Sequence, residues 1–361
     1  MKRALIVLSM LVMAGGAAQA QSYNPQHAAP GTPAQGTSPL PQQRARQKIV
    51  VPTQQVLVPV TVKDSHGQLV AGLQRRDFQI FCDGIQQRIL LFDANPTPLS
   101  AVVLIDNDLP AKESKQVQKS LVAISAGFGP NDEVAVMKYE SYPQPVSDFS
   151  FNNDILFTAL KRMQLGSHST AIFADPGFAG PVVNGRELPT GQGVPQHGAS
   201  RPANDIALDD AVYAAAQMLQ RRGPDRRKII FLVSDGSNSR HNRHTFNETM
   251  RLLLESNISV YSISVSRTVP GKSLWQHGIG QADRYAIKSG GWMFYSDKEE
   301  DLDRLYSQVT EEARDRYTLT FSPNGEDKTK DFHTIEVRVL RPDLDVHARD
   351  GYYQSALGIA Q

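Results

Sequence analysis

One apolar run that ends in acids constrains this chain most. Ala101-Val102-Val103-Leu104-Ile105 is followed at once by Asp106-Asn107-Asp108-Leu109-Pro110. A continuous apolar run suits a strand covered on both faces, as parallel strands of α/β sheets are. Pro110 suits the first turn of a following helix, where the N–H it lacks would have no partner. Such a strand delivers Asp106 and Asp108 to the C-terminal edge of its sheet, where open α/β folds take their ligands. A second run, Lys228-Ile229-Ile230-Phe231-Leu232-Val233, ends in Ser234-Asp235-Gly236 and repeats the pattern.

Helical and strand periods alternate around these two runs. Val117, Leu121, Ile124 and Phe128 lie at helical spacing, and Glu133–Met137 reads as the next strand. A turn at Tyr142-Pro143 leads into Val146–Phe151, expected as an antiparallel edge. Leu156, Ala159, Leu160 and Met163 mark a helix, and Leu208, Ala211, Val212, Ala215, Met218 and Leu219 a longer one. Thr245-Phe246-Asn247-Glu248 has the form of a capping box. Ile258–Val265 reads as a strand, Trp275–Lys288 as a helix stopped by Gly290-Gly291, and Trp292–Tyr295 as a short strand. Ser296-Asp297-Lys298-Glu299 is a second capping box, opening a helix through Leu302, Leu305 and Val309.

Period two takes over on both sides of this region. Val56, Val58, Val60 and Val62 share one face, and Phe78, Ile80 and Cys82 another. Asp64-Ser65-His66-Gly67 and Asp83-Gly84 read as turns, and Ile89–Phe92 as a strand. Near the C-terminus Tyr317, Leu319 and Phe321 alternate, as do Ile335, Val337 and Val339, around an Asn324-Gly325 turn. Each β region alone is too small to bury much. The economical arrangement joins them into one β-sandwich with the α/β region inserted between.

The division expected is therefore a signal peptide over 1–20, a tether over 21–50, an N-terminal β segment over 51–98, an α/β domain over 99–315 and a C-terminal β segment over 316–355. Lys2 and Arg3 precede the apolar stretch Ala4–Ala18, and Ala18-Gln19-Ala20 fits an export cleavage site. The stretch is short for a membrane span, so a periplasmic or secreted protein without a span in its mature form is expected. The tether is rich in Pro and Gln and has little to bury. A Gly- and Pro-rich insertion over 175–204 interrupts the α/β region; a loop of that length is either functional or disordered.

Composition excludes more than it assigns. The net charge of +1 gives no field suited to nucleic acid. The single cysteine, Cys82, has no intramolecular partner for a disulfide and is expected as a small buried residue of its strand, the alternative being a reactive or intermolecular thiol. No G-x-x-x-x-G-K-[ST], G-x-S-x-G or H-E-x-x-H is present. Acids stand after the first α/β strand, where a dinucleotide fold needs glycines. His241 and His244 lack further ligands for zinc. An enzyme is not expected.

Oxygen donors at strand ends remain. Asp106, Asp108 and Asp235, with Thr170 in the polar stretch Gly166–Thr170, suit a hard cation such as Mg²⁺. The order of elements, the acid after the first strand, Thr170 and Val233-Ser234-Asp235-Gly236 resemble a von Willebrand factor type A (VWA) domain. Val60-Thr61-Val62-Lys63-Asp64, Gly72-Leu73, Asp77-Phe78, Asp83-Gly84 and Ala348-Arg349-Asp350-Gly351-Tyr352 resemble the exported VWA-related family abundant in Acidobacteria. The resemblance covers about Val56 to Tyr353. It implies a doubly wound, mostly parallel sheet of Rossmann-like type with a metal-ion-dependent adhesion site at its C-terminal edge. Asp106, Thr170 and Asp235 match that site's D-x-S-x-S, threonine and aspartate positions. Asp108 and Pro110 replace the two serines, and the added carboxylate favours Ca²⁺, so the site is either altered in its cation chemistry or a metal-free remnant. The function implied is a non-enzymatic module that binds a protein or an extracellular matrix or envelope component. The alternatives are a metal-independent scaffold subunit of an envelope complex and, ranked last, an exported hydrolase.

Overall fold

A computed structural model describes residues 55–166, 182–183, 186–187, 206–265, 280–296, 299–327 and 329–354. All belong to a unit spanning Pro52–Gln361. The expected signal peptide and tether, Thr170 and most of the 175–204 insertion lie outside the described residues. The chain runs through β1 (Val56–Lys63), β2 (Phe78–Cys82), β3 (Ile85–Gln87) and β4 (Ile89–Asp93) to β5 (Leu99–Asp106). Next come α1 (Ala111–Ser120), β6 (Glu133–Tyr139), β7 (Pro143–Ser150) and α2 (Asn153–Arg162). Within the insertion, β8 (Val182–Val183) pairs with β9 (Arg186–Glu187). Then follow α3 (Leu208–Gln220), β10 (Arg227–Ser234), α4 (Phe246–Glu255), β11 (Ile258–Ser264), α5 (Gln281–Ser289), β12 (Met293–Tyr295) and α6 (Glu299–Arg314). β13 (Tyr317–Phe321), β14 (Phe332–Val339), β15 (Asp345–Ala348) and β16 (Gly351–Tyr353) complete it.

The central sheet has six strands in the order β12-β11-β10-β5-β6-β7. All are parallel except β7, which runs antiparallel at the edge beside β6. β5 is buried at every position, as its unbroken apolar run requires. Its side chains alternate between two cores. Ala101, Val103 and Ile105 pack with Val117, Leu156, Leu160 and Val309 from α1, α2 and α6. Val102 and Leu104 pack with Leu208, Val212, Leu253 and Tyr285 from α3, α4 and α5. The sheet is therefore doubly wound, the α/β class expected. From β5 the chain moves to β6 on one side and returns to β10 on the other. The strand order reverses between β5 and β10, and the C-terminal ends of these two strands flank the crevice where open α/β sheets bind ligands.

Local details differ from the periodic reading where hydroxyls intervene. The stretch Val117–Phe128 reads as one helix, but α1 ends at Ser120 and a 3₁₀ segment, Leu121–Gly127, continues it. Ser120 and Ser125 donate to the carbonyls of Val117 (3.1 Å) and Val122 (2.7 Å), competing with the α ladder. Pro110 stands one residue before α1, as its N-cap. The Thr245 capping box forms in both directions. Gly290 ends α5 in the left-handed region at φ 76°. That helix begins at Gln281, and the expected part before Gly280 lies outside the described residues.

The flanking strands form two four-stranded sheets, β15-β1-β13-β4 and β16-β14-β2-β3. Each mixes strands from both chain ends: Val58 faces Leu319, Val62 faces Val346, and Ile80 faces Val337. Val58, Val60, Ile80, Leu319, Phe321 and Ile335 share one core between the sheets, so the two β regions make one sandwich. Buried cations tie it to the α/β part. Lys63 Nζ lies 2.6 Å from Glu312 of α6, with both side chains buried, and 3.5 Å above the Trp292 ring. Burial pushes the Lys63 ammonium below its ordinary range, and Glu312 pulls it back only in part. Arg227 donates to the carbonyls of Ala313 (2.9 Å), Arg314 (3.0 Å) and Arg316 (3.0 Å), where α6 hands over to β13.

Candidate functional site

Three neighbouring strands, β10, β5 and β6, end side by side. The register pairs Val233 with Ile105 and Asp106 with Tyr139, which brings Ser234, Asp106 and Tyr139 together. Asp106 is 1% exposed. Its Oδ1 accepts from the Asp108 N–H at 3.0 Å, and its Oδ2 from Ser234 Oγ at 3.1 Å. Tyr139 Oη lies 3.2 Å from the same Oδ2 and 2.9 Å from Ser234 Oγ. Its one proton serves one of these acceptors at a time. Burial, with the Asp235 charge adding to it, pushes the Asp106 carboxyl up to about 7. The Tyr139 phenol is held well above its ordinary range by burial and by the Asp106 charge.

The other expected residues sit at the rim of this cluster. Asp108 is half-buried, one turn of chain beyond Asp106. Asp235 is half-buried at the end of β10, and its Oδ1 accepts from the Ser237 N–H at 2.8 Å. Gly236 donates its N–H to Ser234 Oγ at 2.9 Å and turns the chain onward in the left-handed region at φ 80°. Asp106 and Asp235 are thus brought together at the switch point. Thr170 lies outside the described residues.

Sequence reasoning missed several polar groups of this edge. Asp209, in the first turn of α3, accepts from Tyr285 (2.6 Å), Gln281 (3.0 Å) and Asn238 (2.9 Å). It ties the loop after β10 to α3 and α5. Asn107 donates to Glu140 Oε2 at 2.8 Å, joining the ends of β5 and β6. Asp283, in the first turn of α5, accepts from Tyr295 at 3.0 Å and Ser262 at 3.3 Å, and burial pushes its carboxyl up. The preference of a helix N-terminus for acids could have pointed to Asp209, whereas the helix expected from Trp275 hid Asp283 in its interior. Tyr139 carried no signal, because its hydroxyl ends a strand that reads as plain apolar.

The described residues fit the implied Mg²⁺ or Ca²⁺ poorly. Both oxygens of Asp106 already accept from protein donors, Ser234 is wholly buried, and Pro110 offers no side-chain oxygen. Hard cations need several oxygens free to turn towards them. Half-buried Asp108 and Asp235 are the carboxylates nearest the surface.

No protein-family description and no curated protein sequence matches the chain. Several solved structures are similar to it at a low level. Proximal thread matrix protein 1 from the mussel byssus is 12% identical, with a TM-score of 0.39, over 61% of this chain and 49% of its own. A structure of the same mussel protein is described as having a zinc-occupied adhesion motif, at 14% identity and a TM-score of 0.38, over 61% of this chain and 48% of its own. This chain therefore spans about half the length of that protein. BatB from Bacteroides thetaiotaomicron is 10% identical, with a TM-score of 0.38, over 60% of this chain and 98% of its own. The SpRpn10 VWA domain is 13% identical, with a TM-score of 0.33, over 59% of this chain and 93% of its own. Likenesses of this size say nothing about activity or ligand. The strand order and the double winding establish the α/β class.

Proposed function

We propose that this chain is an exported, non-enzymatic module of VWA type that binds a protein or envelope partner through the C-terminal edge of its central sheet, without an inner-sphere metal at Asp106. The observation that carries this is the closed network of Asp106, Ser234, Tyr139 and the Asp108 N–H at the switch point. Burial and the Asp235 charge push the Asp106 carboxyl up to about 7, and three protein donors, rather than a cation, satisfy its oxygens. The half-buried Asp108 and Asp235 leave the edge acidic, so the partner's face is basic or rich in hydrogen-bond donors. Ser234 hydrogen-bonds an acid, but it is wholly buried and has no histidine in its network among the described residues, which argues against a nucleophile. Export rests on the Lys2–Ala20 segment, and membership of the Acidobacterial subfamily on the flanking motifs. Among the described residues no helix is long and apolar enough to cross a membrane.

The test is capture of partners from source cells by the full chain, in chelator and in Mg²⁺, with Asp108→Lys/Asp235→Lys beside the wild type. The expected outcome is a partner retained in chelator and lost on charge reversal. A partner released by chelator and restored by Mg²⁺ would overturn the proposal. So would turnover of an ester, peptide or glycoside that Asp235→Ala abolishes.

A further inference from the structure

The sandwich holds a cluster of donors that the sheet edge does not use. Asp83 and Gly84 take φ of 48° and 80°, the paired left-handed geometry that an Asp-Gly hairpin turn adopts. The turn joins β2 to β3 and brings the Asp83 carboxylate against β14. There its Oδ1 accepts from the Thr334 N–H at 2.9 Å and from Thr334 Oγ1 at 3.0 Å. Its Oδ2 lies 2.8 Å from His333 Nδ1. A carboxylate only accepts, so Nδ1 carries a proton, and in the neutral form of the ring Nε2 is the nitrogen that bears a lone pair.

Nε2 has no hydrogen-bond partner of its own among the described residues, and His333 is completely buried. Buried polar atoms are rarely left so in folded proteins. Nε2 faces Glu326 Oε2 at 3.9 Å. One donor atom each from Cys82, Glu326 and His333 lies within 4.8 Å of the others. Tyr352 closes the group: its hydroxyl donates to Glu326 and stands 3.6 Å from Cys82 Sγ.

A thiol, an imidazole lone pair and a carboxylate make a mixed sulfur, nitrogen and oxygen set, which suits a borderline-soft cation with tetrahedral preference. In such a site, with bonds of about 2.0–2.3 Å, donors stand about 3.3–3.6 Å apart. Closing this cluster on an ion takes at most about 0.8 Å of movement at each donor. We propose that Cys82, Glu326 and His333 form a zinc site inside the sandwich, with Asp83 as the positioning carboxylate behind His333. Cys82 binds as its thiolate, and the thiol proton leaves to the solvent. The Asp83–His333 contact is the kind that fixes ring tautomer and orientation at metal-bound histidines. The ion ties the end of β2 to β14 and to the Glu326 loop, and with three protein donors its fourth position is left to a water.

The test uses the full chain, reduced and stripped with chelator, titrated with Co²⁺ and then Zn²⁺. One equivalent of Co²⁺ is expected to give a thiolate-to-cobalt charge-transfer band, which one equivalent of Zn²⁺ bleaches. Because Cys82 is the only cysteine, the band reports this site alone. It is expected to survive in Asp106→Asn/Asp235→Asn and to vanish in Cys82→Ser. Asp83→Asn keeps the turn chemistry and the band, but weakens affinity about 10- to 100-fold. Absence of the band in the wild type, with Cys82 alkylation unchanged by Zn²⁺, would overturn the proposal whatever the variants do.

Discussion

Asp106 is the residue on which burial and charge conflict most openly. Its carboxyl is pushed up to about 7 by burial and by Asp235, against about 3.9 for an aspartate in an unfolded chain. Between those values the folded state binds the proton and the unfolded state does not. The stability tied to this group is therefore full at acid pH and lost as pH rises through about 7. Asp283 and Glu312, also pushed up by burial, act in the same direction. Denaturant titrations in chelator are expected to show stability falling from pH 5 to pH 8. Asp106→Asn should reduce that slope and stabilise the protein at pH 8 by on the order of 1–3 kcal/mol; an unchanged slope would count against the network. Lys63 carries the opposite risk. Lys63→Ala leaves Glu312 buried without its ion-pair partner and should cost about 3–5 kcal/mol, read from the same titrations.

At the scale of elements, one close approach stands out. A Cβ placed on Gly291 would lie 1.8 Å from the Val260 carbonyl oxygen and 2.7 Å from its carbon. Gly291→Ala must therefore push the end of α5 away from β11. We expect a much lower yield of folded protein and a Tm drop larger than that of Thr245→Ala, which removes one cap and costs about 1 kcal/mol. Both positions were legible in the sequence, one as a Gly-Gly stop and the other as a capping box. So were β5 and β10, because burial on both faces leaves a continuous apolar run. The 3₁₀ segment after α1 was not legible, since apolar spacing is blind to serines that bond back to the backbone. His333 and Tyr139 were not legible either. Each sits on a strand whose pattern speaks of faces, and each has its function-bearing partner on a different strand.

At the scale of the molecule, the sandwich depends on both ends of the chain. β1 lies between β13 and β15, and β2 lies between β3 and β14. Deleting residues 316–353 should therefore expose Val56–Lys63 and Phe78–Cys82 to protease at once; persistent resistance of that unit would contradict the shared core. The position of the edge site was legible because two runs ended in acids and the topology brought them to one crevice. Its chemistry was not, because a motif gives the residues at each position but not the donors already bound to Asp106. The proposed partner edge has Asp106 closed off by protein hydrogen bonds and taking no cation. Thermal unfolding of the full chain with Mg²⁺, Ca²⁺ or Mn²⁺ raised to millimolar levels, wild type beside Asp106→Ala, tests it directly. A ligand present at 100 times its Kd would add about 2.7 kcal/mol of stability. No saturable rise in Tm is expected with any of the three ions; a saturable rise that Asp106→Ala abolishes would overturn the metal-free reading of the edge.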